Sequence, residues 1–483
     1  MTSAHDVLSI DAGVARGDIT PEPGIRLTGY AVRIGESQSV DEPLRISALA
    51  LGDGGSVVLI VALDLCLVDV AHATQLRQAC AEAAGTSLDH VLVNFNHTHS
   101  APSMGIYNSC FPAAQREMHD AYWADVMKTA RRTCAEARSS MVSSRFSSGI
   151  GECDGNINRR QLSPDGGVVL GENPDGPCDS SVRVLRFDRE DGQPLAVLFR
   201  YSCHPVTLGP KTNRISPDFP GPARRLVEQA MGCPAIFLQG CGGNMNPASG
   251  IGQDAEASPL VGDDMTRLGH RLGSAVLSVV QKLDTHRRRK EPVFVESVGR
   301  YWLYETEAIP TPPRARIAVR ATDLELPLVP FPDAAEIQRE VDDWDGKLAA
   351  AAAAAAEATE WALGPLLRFR HWVGLRQHAA ATGSNPVHLK FPLQEIRLGH
   401  VRLCAIPFET MAETGFALTD ALGPETIALG FSNGLVSYLP TPAVSLEGGM
   451  ESKLGYKAYL IPAEIPGNWE PLIRDWFTNS EDQ

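Results

Sequence analysis

The chain has 483 residues, 43% hydrophobic and 21% charged, which is enough apolar material for a large folded core. A formal net charge of −15 argues against nucleic acid or an anionic membrane surface as the main partner. There is no signal-peptide pattern, no apolar run near the ~20 residues of a membrane span and no Cys-x-x-Cys pair among ten cysteines, so we expect a cytoplasmic protein without a transmembrane segment.

The first elements alternate between strands and helices. Residues 56–65 form an apolar run typical of a buried strand, and this run carries the carboxylate of Asp64. Helical spacing follows over 69–85, and a second buried strand is predicted at 90–96. This order indicates an α/β layer, and a further helix is predicted over 114–138.

Two histidines follow the predicted strand at 90–96. His97 and His99 are two residues apart, a spacing that sends both side chains to the same side of a strand. Neutral imidazoles are common zinc ligands, although such a pair also occurs as ordinary surface or core histidines. Asp64 or Asp218 is a candidate to orient a ligating imidazole.

Two more apolar strands end in residues that carry chemistry. The run from Pro194 ends at His204, and the run from Ala235 ends in a glycine-rich turn over 240–247. The backbone N–H groups of that turn are expected to be exposed, as in a loop that binds an oxyanion or a phosphate, and those at Gly242 and Gly243 are candidates to add to the stabilisation of an oxyanion.

The second half of the chain begins with antiparallel strands predicted over 292–328. A helical insertion is predicted at about 332–380, with an alanine tract and a break at Gly364-Pro365. A strand from Val401 ends in the carboxylate of Glu409. No repeat or linker divides the chain, so we predict one α/β (mixed α+β) domain over 1–483, with mixed sheets flanked by helices.

Four apolar runs therefore end in candidate ligands: His97 with His99, His204, Glu409 and the loop of Tyr438. Three protein ligands of the His and Glu type with one open position are typical of catalytic zinc. Strand ends that are far apart in sequence can meet at one edge of a sheet.

These blocks resemble the catalytic N-terminal domain of the neutral/alkaline, non-lysosomal ceramidases, of which the chain is a divergent, bacterial-type relative. The resemblance rests on ordered motifs: Gly13-Val14-Ala15-Arg16-Gly17-Asp18 with Gly29-Tyr30, Asn96-His97-Thr98-His99-Ser100, Asn156-Ile157-Asn158-Arg159, Cys203-His204-Pro205, Pro407-Phe408-Glu409-Thr410, and Ser437-Tyr438-Leu439-Pro440-Thr441 with Glu447-Gly448-Gly449. It implies a Zn²⁺ ion bound by His97, His204, Glu409 and Tyr438. It also implies His99 as a proton-handling catalytic residue and Arg159 as a catalytic and substrate-binding residue.

The chain departs from that family in three respects. In the stretch 243–247, Asn246 stands where those enzymes carry an important serine, and the resemblance implies Gly243 and Asn246 as substrate-binding residues. The sequence continues only briefly after the tyrosine block, so we expect no immunoglobulin-like C-terminal domain, and it begins without a secretion signal.

The prediction is accordingly a zinc-dependent amidohydrolase that cleaves a linear N-acyl amide, ceramide-like or smaller, with Tyr438 stabilising the oxyanion. The alternatives are an amide-forming enzyme acting on a small biosynthetic intermediate and a non-catalytic, zinc-stabilised binding protein. An amidohydrolase barrel is disfavoured because a long stretch precedes the histidine pair, and a metallo-β-lactamase because Ser100-Ala101-Pro102 follows it. A homo-oligomer is left open.

Overall fold

Strands and helices alternate along the chain, and the strands form several separate sheets. The structure is a computed structural model that describes residues 7–251, 261–297, 299–354 and 360–479. Its helices are α1 Val70–Ala84, α2 Ala113–Ser139, α3 Pro220–Met231, α4 Val261–Val280, α5 Ala334–Ala354, α6 Glu360–Thr382, α7 Ala412–Leu422, α8 Pro442–Glu447, α9 Gly455–Ala458 and α10 Trp469–Thr478. Its strands are β1 Leu8–Asp18, β2 Ser39–Val40, β3 Arg45–Gly52, β4 Val57–Leu63, β5 Val91–Phe95, β6 Val142–Glu152, β7 Asn156–Leu162, β8 Val168–Asn173, β9 Ser181–Arg189, β10 Pro194–Tyr201, β11 Arg214–Ile215, β12 Ala235–Gln239, β13 Met245–Pro247, β14 Arg287–Arg289, β15 Val293–Glu296, β16 Arg300–Leu303, β17 Thr306–Ala308, β18 Ile317–Pro327, β19 His388–Leu398, β20 Val401–Ala405, β21 Glu409–Thr410, β22 Thr426–Leu429 and β23 Tyr438–Leu439.

The largest sheet has eight strands in the order β12-β10-β9-β6-β1-β3-β4-β5. Its two edge pairs, β4 with β5 and β10 with β12, are parallel, and a helix connects the members of each pair. The strands between them are antiparallel. Parallel strands joined by a helix place the chain segments that follow them at the same edge of the sheet.

The side chain of Asn94 brings the two outer strands of this sheet together. Asn94 Oδ1, on β5, accepts a hydrogen bond of 2.8 Å from the amide of Gln239 on β12. Its Nδ2 donates to the carbonyl oxygens of Gln239 at 3.2 Å and of Gly430 at 3.0 Å. The segments after β5, β12 and β22 therefore start from one place, although their strands are far apart in sequence.

Two sheets and two helical layers pack face to face. In β4, Val58 and Ile60 point into a core shared with the four-stranded sheet β18-β19-β20-β22. The alternate residues Leu59 and Val61 pack on the side of α1 and α2, as the two-residue period of a strand requires. The other face of the four-stranded sheet packs against α6, α7 and α10. The predicted mixed α/β class is confirmed.

The predicted helices differ from the structure mainly in the helical insertion. The predicted break in the helix at Gly364-Pro365 is wrong, because α6 runs through both residues from 360 to 382. Within the described part of α6, about one turn of helix lies before Pro365. The alanine tract is helical up to Ala354, and residues 355–359 lie outside the described part. Of the helices described, none is long and apolar enough to cross a membrane.

Candidate metal centre

His97 lies in the loop after β5 rather than on the strand itself. Its backbone φ is 65°, in the left-handed region that costs a non-glycine residue about 1–2 kcal/mol. The amide of His97 donates to Leu65 O at 3.1 Å, and its Nδ1 lies 2.9 Å from Cys66 O. The prediction that strand alternation brings His97 and His99 to the same side is therefore wrong. The strained loop instead brings the ring centroids of His97 and His99 to 4.8 Å from each other.

His204 is held by the same kind of contact. It follows β10, and its amide donates to Met245 O at 2.9 Å. Its Nδ1 lies 2.7 Å from Gly242 O and 3.2 Å from Met245 O. A carbonyl oxygen only accepts, so Nδ1 carries the proton in both His97 and His204 and each Nε2 keeps a lone pair.

The predicted role of two aspartates in orienting the histidines is wrong. Asp64 instead accepts two hydrogen bonds from Arg224, at 2.9 and 2.7 Å, and one of 2.7 Å from Asn96 Nδ2. Asp218 accepts from Thr207 Oγ1 at 2.6 Å, and burial raises its pKa to about 6. Main-chain carbonyl oxygens orient the imidazoles of His97 and His204, as they do in many metal sites.

Glu409 faces the two histidines from the short parallel pair β21–β23, in which it is the direct partner of Tyr438. Its Oε2 lies 2.8 Å from His204 Nε2, and its Oε1 lies 3.6 Å from His97 Nε2. The hydroxyl of Tyr459 donates to Oε1. Burial raises the pKa of Glu409, and this effect exceeds the opposing effects of His97 and Arg159.

Arg159, on β7, lies beside this cluster in a fully buried network. Its Nη1 is 3.3 Å from His204 Nε2, and its Nη2 donates to Tyr438 Oη at 3.0 Å. Its Nε donates to Glu451 Oε1 at 3.1 Å. Burial alone would lower the pKa of Arg159, but Tyr438, Glu451 and Glu409 raise it above its ordinary value. Arg159 is therefore a fixed positive charge at the edge of the cluster.

His99 is the remaining imidazole of the centre. Its Nε2 lies 3.1 Å from His97 Nε2, and the ring of Tyr30 packs edge-on against it at 4.7 Å. Burial, together with His97 and His204, holds the pKa of His99 well below its ordinary value. A neutral imidazole at this place can accept a proton.

The glycine-rich turn does not offer the amides that are predicted to stabilise an oxyanion. The amide of Gly243 donates to Thr410 O at 2.8 Å, and that of Gly242 donates to Gly240 O at 3.0 Å. That prediction is wrong. A Cβ on Gly243 would lie 2.5 Å from Glu409 O, so glycine here permits close approach of the strand that carries Glu409. Asn246 Oδ1 lies 3.5 Å from Arg159 Nη1, beside the centre.

The donor set of His97, His204 and Glu409, called the three-ligand cluster below, fits a divalent cation. Its three ligand atoms lie within 4.8 Å of one another and are buried. Each is an acceptor, because both histidines keep their proton on Nδ1 and the third group is a carboxylate. Acceptor atoms this close in a buried place repel one another unless a cation or a proton lies between them. Two imidazoles and a carboxylate are a ligand set of catalytic zinc.

Two residues of the centre were not singled out from the sequence. Glu451 accepts from Arg159, and from Arg160 Nη1 at 2.6 Å, and Tyr459 donates to Glu409. Both follow β23 in short helical turns, so a search for polar residues at strand ends does not find them. Two buried arginines next to each other are the signal that could have indicated a buried acid.

A family comparison by sequence and a comparison of folds both find similarity to ceramidases. Residues 11–240 match the family described as neutral/alkaline non-lysosomal ceramidase, N-terminal. The fold is similar to a crystal structure of the neutral ceramidase from Pseudomonas aeruginosa, with 18% identity, a TM-score of 0.65, and coverage of 98% of this chain and 74% of that chain. A structure described as ceramidase complexed with C2 gives 17% identity, a TM-score of 0.64 and the same coverage. No curated protein matches the chain.

Proposed function

We propose that this chain, a member of the neutral/alkaline non-lysosomal ceramidase family by its residues 11–240, is a zinc-dependent hydrolase of an N-acyl amide. The observation that carries the proposal is the convergence of His97, His204 and Glu409 on one buried point beside Arg159. Tyr438, next to Glu409 in the strand pair, completes the set of residues that would hold the ion. When bound, zinc acts as a Lewis acid that polarises a carbonyl and lowers the pKa of water to about 7.

The chain's own groups supply the proton transfers. His99 is neutral and buried, and its Nε2 points at the three-ligand cluster, so it accepts the proton of the attacking water. The same nitrogen then returns that proton to the leaving amine, which would otherwise be a poor leaving group.

Arg159 and Tyr438 are placed to stabilise negative charge on the carbonyl oxygen. The guanidinium is held by Glu451 and donates to the Tyr438 hydroxyl at 3.0 Å, so both groups are oriented before substrate binds. Burial holds the pKa of Tyr438 well above its ordinary value, so the phenol keeps its proton as long as no ion is bound beside it.

The substrate class that we propose is a ceramide-like or smaller N-acyl amide. The first structural relative is described as a neutral ceramidase, and the second as a ceramidase in complex with C2. Asn246 lies beside Arg159, at the position where the resemblance to the family implies a serine, so an amide stands in place of a hydroxyl beside the proposed substrate-binding arginine. This exchange favours a polar contact to the substrate over a nucleophilic or proton-transfer role at that position.

A panel of N-acyl amides tests the proposal. Long-chain ceramide, short-chain ceramide and N-acyl amino acids are incubated with the zinc-loaded protein, and released fatty acid and amine are measured. We expect at least one amide to be cleaved, with activity lost on chelation and restored by zinc, and His97→Ala inactive throughout. Full activity of the metal-free protein would contradict the mechanism. If no member is cleaved by a protein that holds zinc, the chain is a zinc-stabilised binding protein or an amide-forming enzyme.

A further inference from the structure

The thiol of Cys66 faces the same buried place as the ligating histidines. The ligand atoms of Cys66, His97 and His99 lie within 4.8 Å of one another, and all three residues are buried. The proposed hydrolysis uses Cys66 only through its carbonyl oxygen, which holds His97 Nδ1. Its sulfur has no role there, although it lies close enough to Glu409 for the carboxylate to raise its pKa, after the larger effect of burial.

The two groups of ligands differ in chemical character. The three-ligand cluster offers two imidazoles and a carboxylate, with the phenol of Tyr438 nearby. The second group offers one sulfur and two imidazoles. Thiolate ligands select soft cations, whereas carboxylate oxygens favour harder ones. The same small space therefore presents a harder and a softer set of donors to an incoming ion.

His97 belongs to both groups and can serve only one at a time. Its Nδ1 proton is donated to Cys66 O, so Nε2 carries the only lone pair of that ring. One nitrogen lone pair binds one cation. The two sets of ligands consequently compete for a single ion, and they do not form a two-metal centre.

We propose that Cys66, His97 and His99 form a second, overlapping binding position for a soft, thiophilic cation such as Cd²⁺, which excludes zinc from the three-ligand cluster. On binding, the sulfur–metal bond forms as the thiol gives up its proton to solvent, so one proton is released for each ion bound. Occupation of this position also removes His99 from proton transfer. The inference concerns binding alone and does not depend on the substrate of the enzyme.

Ultraviolet absorption of thiolate–cadmium charge transfer tests this directly. Metal-free full-length protein is titrated with Cd²⁺, together with Cys66→Ser and the control Cys404→Ser, which removes another fully buried, free thiol. We expect a band that saturates at one cation per chain in the wild type and in Cys404→Ser, and no band at that ratio in Cys66→Ser. A band that persists in Cys66→Ser, or its absence from the wild type, would overturn the proposal.

Competition with zinc gives an independent check of the shared ligand. Zinc-loaded wild-type protein is titrated with Cd²⁺ while free zinc is measured with an indicator dye. The charge-transfer band should grow in proportion to the zinc released, and Cys66→Ser should still bind zinc, which shows that the variant is folded. Simultaneous retention of zinc and growth of the band would contradict a shared His97. If this test fails while the zinc protein cleaves an amide, only the second position is rejected.

Discussion

The imidazoles of His97 and His204 are held by main-chain atoms, whereas Glu409 and Arg159 are held by other side chains. The Nδ1 atoms of His97 and His204 contact carbonyl oxygens, which every residue at those positions would supply. Glu409 instead receives a hydrogen bond from Tyr459, and Arg159 is fixed by Glu451. The histidine side is therefore set by the fold, and the carboxylate side is set by side chains that a single substitution can remove.

The two sides also differ in charge. The histidine side is neutral, because burial lowers the pKa of His97 to about 4. The carboxylate side places Arg159 and Arg160 against Glu451, with almost no exposure of any of the three. Removing one charge from such a buried group costs far more than removing one from the surface. Substitutions on the carboxylate side should consequently affect stability as well as activity.

The largest effect is expected from removing Glu409, the proposed carboxylate ligand. Glu409→Ala should lose the zinc ion and lower turnover about a thousandfold or more, which corresponds to about 4 kcal/mol. Zinc content by mass spectrometry and amide hydrolysis measure the two losses together. Glu425→Ala is the matched control, since that carboxylate bonds Ser148 away from the cluster and should leave both unchanged. Retention of zinc by Glu409→Ala would show that the carboxylate is not a ligand.

His99→Ala separates proton transfer from metal binding. Turnover should fall by about 10²–10⁴-fold, the usual contribution of a general acid–base group, while zinc content stays near that of the wild type. Steady-state kinetics on the zinc-loaded variant measures the loss. Near-full activity of this variant would reject the assignment of His99.

Glu451→Gln tests the charge network behind Arg159. The amide keeps the shape of the side chain but leaves two buried guanidinium groups without their carboxylate, so we expect a loss of about 3–5 kcal/mol in the free energy of unfolding. Glu447→Gln is the control, because its side chain also contacts Arg160 but is 55% exposed. That change should cost about 0–1 kcal/mol. Equal losses in urea unfolding of the two variants would contradict a buried network.

A smaller effect is expected from Gly243→Ala, which pushes on the Glu409 backbone. The added Cβ would lie 2.5 Å from Glu409 O, and overpacking of this kind costs about 1–3 kcal/mol. In Gly242→Ala, the nearest atoms to the new Cβ lie at 3.2 Å, so its effect should be smaller. Zinc affinity measured by chelator competition should fall more for Gly243→Ala. The reverse order would mean that the turn does not position Glu409.

The sequence predicts the elements and places the candidate ligands better than it predicts their partners. His97 and His204 follow the ends of β5 and β10, where polar residues stand out against apolar runs. The strand predicted from Val401 to Glu409 is wrong in its end, because β20 stops at Ala405 and Glu409 begins the separate short strand β21. The groups that orient His97 and His204 are carbonyl oxygens, which leave no mark in the sequence, and the sequence indicates aspartates for that role instead. The amides of the turn at Gly242 and Gly243 are occupied by long-range or local backbone bonds that no pattern reveals. Tyr459 and Glu451 lie after β23 and meet the centre through long-range contacts to Glu409, Arg159 and Arg160, which no local sequence pattern indicates.

Anomalous diffraction at the zinc absorption edge, from crystals of the zinc-loaded protein, tests the central claim most directly. We predict one zinc peak per chain, at about 2.0–2.2 Å from Nε2 of His97, Nε2 of His204 and a carboxylate oxygen of Glu409. A zinc peak away from His204 and Glu409, or no peak while the three side chains keep their places, would contradict the account.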